Sequence, residues 1–326
     1  EHFNKIIRMK KVLIISSNRL GDCILSTGLN NFFKKRPENY KIFFVCGPVP
    51  GEFFKYCKNI DKLIVIRKKK FSLHWINLWQ KVFLNYWDYV IDLRGSIISF
   101  LLVAKNRKIF KSRMHVHKVE EISSLLSKKN LHPNINFNHK ISLTKVYVEK
   151  ITELAKKKDL ILIAPSSNWI GKTWPINNFS KLLCKLNENQ IFSKSIFVVL
   201  GPQNEKKIMI NLLNEKGLPM FDLVGKVSLP EIFLIMKKSK LFIGNDSGLM
   251  HLSALANIPT IGLFGPSDSR KYHPWGSKTL AIKSPKSPEQ LMGYKEFNSK
   301  KVHSLMGDLS VKSVLQETIK FYKTYV

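Results

Sequence analysis

The chain has 326 residues, 44% of them hydrophobic, with a mean hydropathy of −0.10 and a formal net charge of +31. That length accommodates two domains of about 150 residues each. No apolar run reaches the roughly 18–20 residues of a membrane span, no secretory signal precedes the first strand, and no zinc finger, RNP-type motif or helix-turn-helix accompanies the basic excess, so nucleic acid is not an expected partner.

The start, EHFNKIIRMKKVLII, is charged and then enters a strand; Met9 is a candidate alternative start that would make residues 1–8 a dispensable extension. Val12–Ser16 is a continuous apolar run, the pattern of a strand buried on both faces. Asn18-Arg19-Leu20-Gly21-Asp22 forms a turn, and Ile24–Lys35 has helical spacing. Strands follow at Ile42–Cys46, Leu63–Ile66 and Tyr89–Leu93, the last ending at Arg94-Gly95-Ser96, with helices over Gly51–Cys57 and Leu73–Tyr86. The Lys- and Asn-rich stretch 128–140 reads as surface loops, and a helix over Ile141–Lys157 leads to a second domain.

The second half restarts the pattern. A strand at Leu160–Ala164 meets the polar loop Pro165–Lys172, and Trp174-Pro175 opens a helix running to Asn187. Ile196–Leu200 is a strand, Glu205–Glu215 a helix and Leu223-Val224 a short strand. Ser228-Leu229-Pro230-Glu231 reads as a capping box, with Ser228 at the N-cap and Glu231 three residues on. The stretch LFIGNDSGLMHLSALANIPTIGLFGPSD (241–268) is strand, tight polar turn, helix, strand and polar turn, a parallel βαβ order. Ser310–Tyr325 is one last helix. Two successive arrays of this kind predict an α/β protein with two doubly wound parallel sheets.

Ligands of open α/β sheets bind outside the carboxyl ends of strands, where 17–22, 165–172, 201–205 and 244–251 lie. The 244–251 turn opens a helix, whose free N–H groups and dipole favour a phosphate. There Ser247 and Gly248 allow close backbone approach, and Asp246 can cap the helix or accept a ribose hydroxyl. Asp22 reads either as a helix N-cap or as a carboxylate that takes a proton from an acceptor hydroxyl. Lys172 is either a solvated surface lysine or a charge that neutralises a diphosphate leaving group, with Ser166, Ser167 and Asn168 as further donors. His251 has no partners at metal-ligand spacing and the chain has no Asp-x-Asp pair, so no metal ion is expected. Four cysteines, Cys23, Cys46, Cys57 and Cys184, form no CxxC pair and read as buried free thiols of a reducing compartment.

Residues 1–150 hold 29 Lys and Arg against 10 Asp and Glu; the rest hold 25 against 13. The abundance of Lys, Asn and Ile fits drift in an AT-rich genome, while the charge also fits anionic lipid headgroups or a phosphorylated acceptor. Arg67–Lys70 precedes an aromatic helix carrying Phe71, Trp75, Trp79 and Phe83. Its apolar face either packs on the first sheet or lies at a membrane interface.

With these residues in place, the chain resembles glycosyltransferase family 9, the lipopolysaccharide heptosyltransferases. The likeness rests on VLIISSNRLGDCILSTGLNNFF, APSSNWIGKTWPINNFSKL and the D-[ST]-G-x-x-H turn paired with G-P-[ST]-D in 241–268. It implies a GT-B fold: an acceptor-binding Rossmann-like domain (1–157) and a nucleotide-sugar domain (158–308) facing across a cleft, with a C-terminal helix (309–326) packing back on the first. It further implies an inverting, metal-independent transfer of heptose from ADP-heptose to a lipopolysaccharide inner-core acceptor, an anionic glycolipid, by a cytoplasmic enzyme peripheral to the inner leaflet of the membrane of a Gram-negative bacterium.

The same resemblance makes Asp22 the base and Lys172 the lysine at the diphosphate. Ser167, Asn168, Ser247, Gly248 and His251 surround the phosphates, with Ser166 of the same loop a further donor-binding candidate; Asp246 lies at the sugar–nucleotide site, Val227 at adenine and Glu205 at ribose. Lys68, Lys69, Lys70, Arg94 and Arg113 are acceptor-side candidates. Many members carry a Cys-rich segment after G-P-[ST]-D, whereas residues 284–304 here contain no Cys. Two other readings stand beside this one: a family 9 enzyme using another nucleotide sugar for a different surface glycan, and a non-catalytic sugar-nucleotide-binding protein. A dinucleotide-dependent oxidoreductase is disfavoured because no G-x-G-x-x-G follows the first strand.

Overall fold

The computed structural model describes residues 8–113, 115–138 and 146–326. The chain divides into two units, Glu1–Ile141 and Ser142–Val326, each containing one all-parallel sheet. The first contains β1 (Lys11–Ile15), α1 (Leu20–Leu25), α2 (Thr27–Lys34), β2 (Lys41–Cys46), α3 (Pro48–Phe54), β3 (Lys62–Val65), α4 (Leu73–Val82), β4 (Trp87–Asp92), β5 (Ala104–Ile109) and α5 (Lys118–Ser124). Its strands stand in the order β3-β2-β1-β4-β5. Both faces of β1 are buried, which is why its sequence is apolar without alternation. Leu13 and Ile15 join Phe43, Val45, Leu78 and Val82 in one cluster. On β2, Phe44 meets Phe54 of α3 at 5.1 Å between ring centroids.

The helix expected over 24–35 is two helices that begin at Leu20 and break at Ser26. The Ser26 hydroxyl donates to the Cys23 carbonyl at 2.8 Å and lies 3.0 Å from Ser16 Oγ, a local bond that competes with a continuous helix. β5, with the sequence AKNRKI, is an edge strand whose polar residues give no alternating apolar signal, and it was not anticipated. Neither was α5, a short helix with Glu120 and Glu121 in its first turn. The expected helix over 141–157 is present from Val146 as α6 (Val146–Ala155); its first residues, 141–145, lie outside the described residues, as do residues 1–7 of the expected extension and 139–140 of the expected loops.

The second unit continues with β6 (Asp159–Ala164), α7 (Ile176–Asn187), β7 (Ser195–Val199), α8 (Lys206–Leu213), β8 (Met220–Asp222), α9 (Leu229–Met236), β9 (Leu241–Asn245), α10 (Gly248–Leu255), β10 (Thr260–Phe264), α11 (Ser269–Tyr272), β11 (Thr279–Lys283), α12 (Pro288–Met292) and α13 (Val311–Tyr325). The strand order is β11-β10-β9-β6-β7-β8. The capping box at α9 forms as expected: the Ser228 backbone N–H donates to Glu231 Oε2 at 2.7 Å. The short strand expected at Leu223-Val224 lies instead at Met220–Asp222; Leu223 and Val224 are fully buried just beyond it, where the Leu223 N–H still donates to the Val199 carbonyl at 3.0 Å.

The expected C-terminal helix is present as α13. Val314, Phe321 and Tyr322 lie on one stripe of α13 and enter the core of the second unit, where Tyr322 meets Phe192 at 4.5 Å. This stripe packs against α7 and β11, within the second unit. Cys23, Cys46 and Cys57 are buried free thiols, whereas Cys184, on α7, is partly exposed. Among the described residues no helix is long and apolar enough to cross a membrane.

Candidate active site

Each sheet has one place where the strand order reverses: between β1 and β4 in the first unit, and between β6 and β9 in the second. The crevice outside the carboxyl ends of such a strand pair is where open α/β sheets bind ligands. The residues singled out in the sequence concentrate at these two points.

In the second unit, Asn245 ends β9 fully buried and holds two loops at once. Its Oδ1 accepts from the Trp174 backbone N–H at 3.0 Å, and its Nδ2 donates to the Pro165 carbonyl at 2.8 Å. The loop after β6 therefore docks on the end of β9. This brings Lys172, on a single 3-10 turn (Ile170–Lys172), to Asp246, where Nζ donates to Oδ2 at 2.6 Å. Asp246 does not cap α10; the N-cap is Ser247, which makes no side-chain capping bond and whose Oγ is buried without a hydrogen-bond partner. The amides of the first turn of α10, Gly248 at its start, thus open beside an ammonium, an arrangement suited to an anion. His251 is buried one turn further on, and its N–H donates to the Ser247 carbonyl at 3.4 Å.

The Lys172 loop is also clamped from a distant segment. Trp169 Nε1 donates to the Ser299 carbonyl at 2.7 Å, and Ser304 Oγ to the Thr173 carbonyl at 2.6 Å. The Leu305 N–H donates to Gly171 at 3.1 Å. Asn245, Ser299, Ser304 and Leu305 were missed in the sequence; only the Asn in G-N-D-S-G carried a signal, as a turn residue. Ser167 Oγ donates to the Trp169 carbonyl at 2.8 Å and lies 3.2 Å from Thr173 Oγ1, so it shapes the loop. Ser166 is buried, Asn168 exposed.

Glu205 closes a 3-10 turn after β7, and Val227 follows β8; both are half-buried. Gly225 lies between these loops with φ +70°, and a Cβ there would collide with the Gln203 side chain. Asp222 accepts from Lys226 Nζ at 2.7 Å, from Lys206 Nζ at 3.0 Å and from the Val224 N–H at 2.9 Å. Partial burial works against its charge, but these bonds outweigh it and hold the carboxyl below its usual range.

In the first unit, Asp22 sits in the first turn of α1, whose N-cap is Arg19; the capping reading of Asp22 does not hold. Ser17 Oγ donates to Asp22 Oδ2 at 3.2 Å and accepts from the Arg19 N–H at 3.2 Å. Across the switch point, Asp92 is fully buried and folds the loop after β4. It accepts from the Arg94 N–H at 2.8 Å and from the Ser96 hydroxyl at 2.6 Å. Arg94 then reaches back, its Nη1 donating to Asn18 Oδ1 at 3.2 Å and its guanidinium lying 5.1 Å from the Trp75 ring centroid. Burial pushes His74 below its ordinary pKa, and the Arg94 and Lys68 charges add to this. Lys68, Lys69 and Lys70 are exposed after β3. Arg113 lies elsewhere: its N–H donates to Glu121 and its guanidinium to Ser124, on α5. The buried Cys23 thiol, next to Asp22, is pushed up to about 12, chiefly by burial, and is not a nucleophile at neutral pH.

The family model described as glycosyltransferase family 9 (heptosyltransferase) matches residues 99–301. The chain belongs to glycosyltransferase family 9. It is therefore a glycosyltransferase of the heptosyltransferase family. It is 26% identical over 295 residues to lipopolysaccharide heptosyltransferase 1 of Campylobacter coli, covering 79% of this chain and 85% of that one. A shorter match, 28% over 125 residues, spans 38% of this chain and about a third (36%) of lipopolysaccharide heptosyltransferase 3 of Escherichia coli. The fold is also that of E. coli ADP-heptose lps heptosyltransferase II, with a TM-score of 0.71 at 19% identity over 96% of this chain and 99% of the other. The GT-B class with two Rossmann-like units, expected from the resemblance, is thereby established. Lys172 and Asp246, paired at 2.6 Å, both lie inside the matched region.

Proposed function

We propose that this family 9 enzyme transfers heptose from ADP-heptose to the inner core of lipopolysaccharide, an anionic glycolipid, with inversion and without a metal ion. The observation that carries this reading is the Lys172–Asp246 pair at the mouth of α10, at the switch point of the second sheet. The names of its relatives, a lipopolysaccharide heptosyltransferase and an ADP-heptose lps heptosyltransferase, support the sugar and acceptor class of this reading.

In this reading the nucleotide diphosphate lies at the α10 N-terminus. Lys172 and the first-turn amides neutralise the charge that builds on the departing ADP. The Ser247 hydroxyl, lacking a protein partner, donates to the same phosphates. Adenosine is held along the β7 and β8 ends by Glu205 and the backbone at Val227. Asp22 accepts the proton of the acceptor hydroxyl while that oxygen attacks the anomeric carbon. The bond from that carbon to the ADP oxygen breaks on the opposite face, so the configuration inverts in one displacement. Arg94, held by Asn18 and Trp75, together with Lys68–Lys70, binds acceptor phosphates or carboxylates. The acceptor's lipid anchor places the enzyme peripherally at the cytoplasmic face of the membrane.

Calorimetric titration with ADP, UDP and GDP, each with and without Mg²⁺, tests the donor. ADP binding that is independent of Mg²⁺ supports the reading. Preference for UDP or GDP replaces ADP-heptose with another nucleotide sugar, and absence of nucleotide binding favours the non-catalytic alternative.

A further inference from the structure

The first unit carries an apolar face that its own packing does not use. The segment Ile97–Leu101, a 3-10 turn between β4 and β5, buries Ile98 against the sheet together with Leu102. Ser99 is buried as well, while the three remaining side chains point outward: Ile97, Phe100 and Leu101 are 77, 62 and 60% exposed. Beside it runs α4. Its His74, Leu78 and Val82 face the core, and Trp75, Trp79 and Phe83 flank that face. Trp79 Nε1 donates to the Leu101 carbonyl at 3.3 Å, so the two segments form one surface. At about 100° per residue, Ile76 lies roughly 60° around the helix from Trp79, on the outward side; it is exposed. The surface continues to Phe71, 93% exposed, in a turn where Phe71 and Ser72 both have positive φ (+52° and +59°). A bulky residue held in that region with its ring in solvent is an uncommon arrangement.

Charge identifies the partner. Between Lys62 and Arg113 there are twelve Lys and Arg against two Asp. Both Asp are engaged: Asp88 by Arg8 at 3.1 Å and by the Lys11 N–H at 2.8 Å, and Asp92 by its own loop. Lys68–Lys70 border the face at Phe71, and Arg107 lies 5.8 Å from the Phe100 ring centroid. Pairing this face with a second copy would set like charges against each other. An anionic bilayer offers apolar depth and negative headgroups together.

We propose that the α4 flank and the 97–103 segment dock the enzyme on anionic phospholipid, with Phe71, Ile76, Ile97, Phe100 and Leu101 entering the interface and the bordering Lys and Arg on headgroup phosphates. Arg94 stacks on Trp75 and reaches the Asn18 loop, so the face adjoins the Asp22 mouth within the same unit. The proposal rests on the reading of a lipid-anchored acceptor for its purpose, but its test is independent of the donor.

The full chain is sedimented with phosphatidylcholine vesicles and with vesicles containing about one third phosphatidylglycerol, at low and high salt. Binding to the anionic vesicles alone, weakened by salt, is expected. The triple variant Ile97→Asn/Phe100→Asn/Leu101→Asn should bind about tenfold or more weakly, with ADP affinity equal to wild type as a check on folding. No vesicle binding by the wild type, or equal binding by the variant, overturns the proposal. So does a wild-type dimer in analytical ultracentrifugation that the variant abolishes without any vesicle binding. Failure of ADP to bind either protein would instead count against the donor assignment; matching circular dichroism spectra and urea melts of the two proteins then supply the folding check for the vesicle comparison.

Discussion

Lys172 Nζ and Asp246 Oδ2 lie 2.6 Å apart, joining loops 74 residues apart in sequence at the switch point of the second sheet. The two partners are unequally exposed: the Asp246 side chain is 7% exposed and that of Lys172 24%. Removing the lysine strands a nearly buried carboxylate, whereas removing the carboxylate leaves an ammonium that reaches water. Lys172→Met should therefore lower the melting temperature more than Asp246→Asn. It should also reduce turnover about 10²–10³-fold, the scale for losing one charge-stabilising donor. Differential scanning calorimetry and a transfer assay check both; equal melting temperatures would show that the pair is solvated.

Asp22 makes one side-chain contact of note, with the Ser17 hydroxyl at 3.2 Å. Asp22→Asn preserves its shape and its bond from Ser17 but removes its basicity. Turnover should be abolished while ADP affinity stays within about twofold of wild type, since a general base contributes to the chemical step alone. Turnover like the wild type's would remove Asp22 as the base.

Asn245 is a positioning residue. It serves the Trp174 N–H and the Pro165 carbonyl from a fully buried side chain. Asn245→Asp retains the acceptor but sets a second oxygen against the Pro165 carbonyl. A loss of about 1–3 kcal/mol of stability is expected from the unsatisfied buried groups. Turnover should fall with it, measured at a temperature where urea melts show the variant still folded. Full activity in a destabilised variant would show that the Lys172 loop does not depend on this anchor.

Tyr322, buried on α13, has its phenol pushed up to about 12 from the ordinary value of 10.0, by burial first and then by Asp159. The folded state therefore keeps the proton longer than the unfolded chain. This contribution is fully present below pH 10 and is lost as pH rises from about 10 to 12. Tyr322→Phe should flatten that alkaline fall in urea-unfolding free energy. At neutral pH it should cost no more than about 1 kcal/mol, because the phenol's bond to Asp159 is long, at 3.5 Å.

Much of the second unit was legible because its signals are local. β10 occupies the expected residues, the Ser228/Glu231 box forms where its spacing places it, and α13 fills the expected last helix with Ser310 as its N-cap. β5 and β11 were not legible: each lies at a sheet edge, with partly exposed, mixed residues that lack the apolar run of a central strand. The two alternatives open for Asp22 and Asp246 at their helices were inseparable in the sequence for a related reason. An Asp near a helix start satisfies the capping pattern, and only tertiary contacts distinguish a cap from a carboxylate held by Ser17 or Lys172.

The sequence by itself determined the alternation of strands and helices, the polar turns at strand ends and the chemistry of the residues there, because apolar periodicity and turn composition depend on near neighbours. The strand orders were decided by the tertiary structure, and with them the pairing of the β1 loop with the β4 loop and of the β6 loop with the β9 loop. The contacts that orient Arg94 and Lys172 run through residues 76 and 74 positions away, Asn18 and Asp246, and no local pattern encodes them. The outward aim of Phe71, Ile97 and Phe100 was likewise decided there. Periodicity marks an apolar residue, but only the packing of its neighbours decides whether the sheet has room for it.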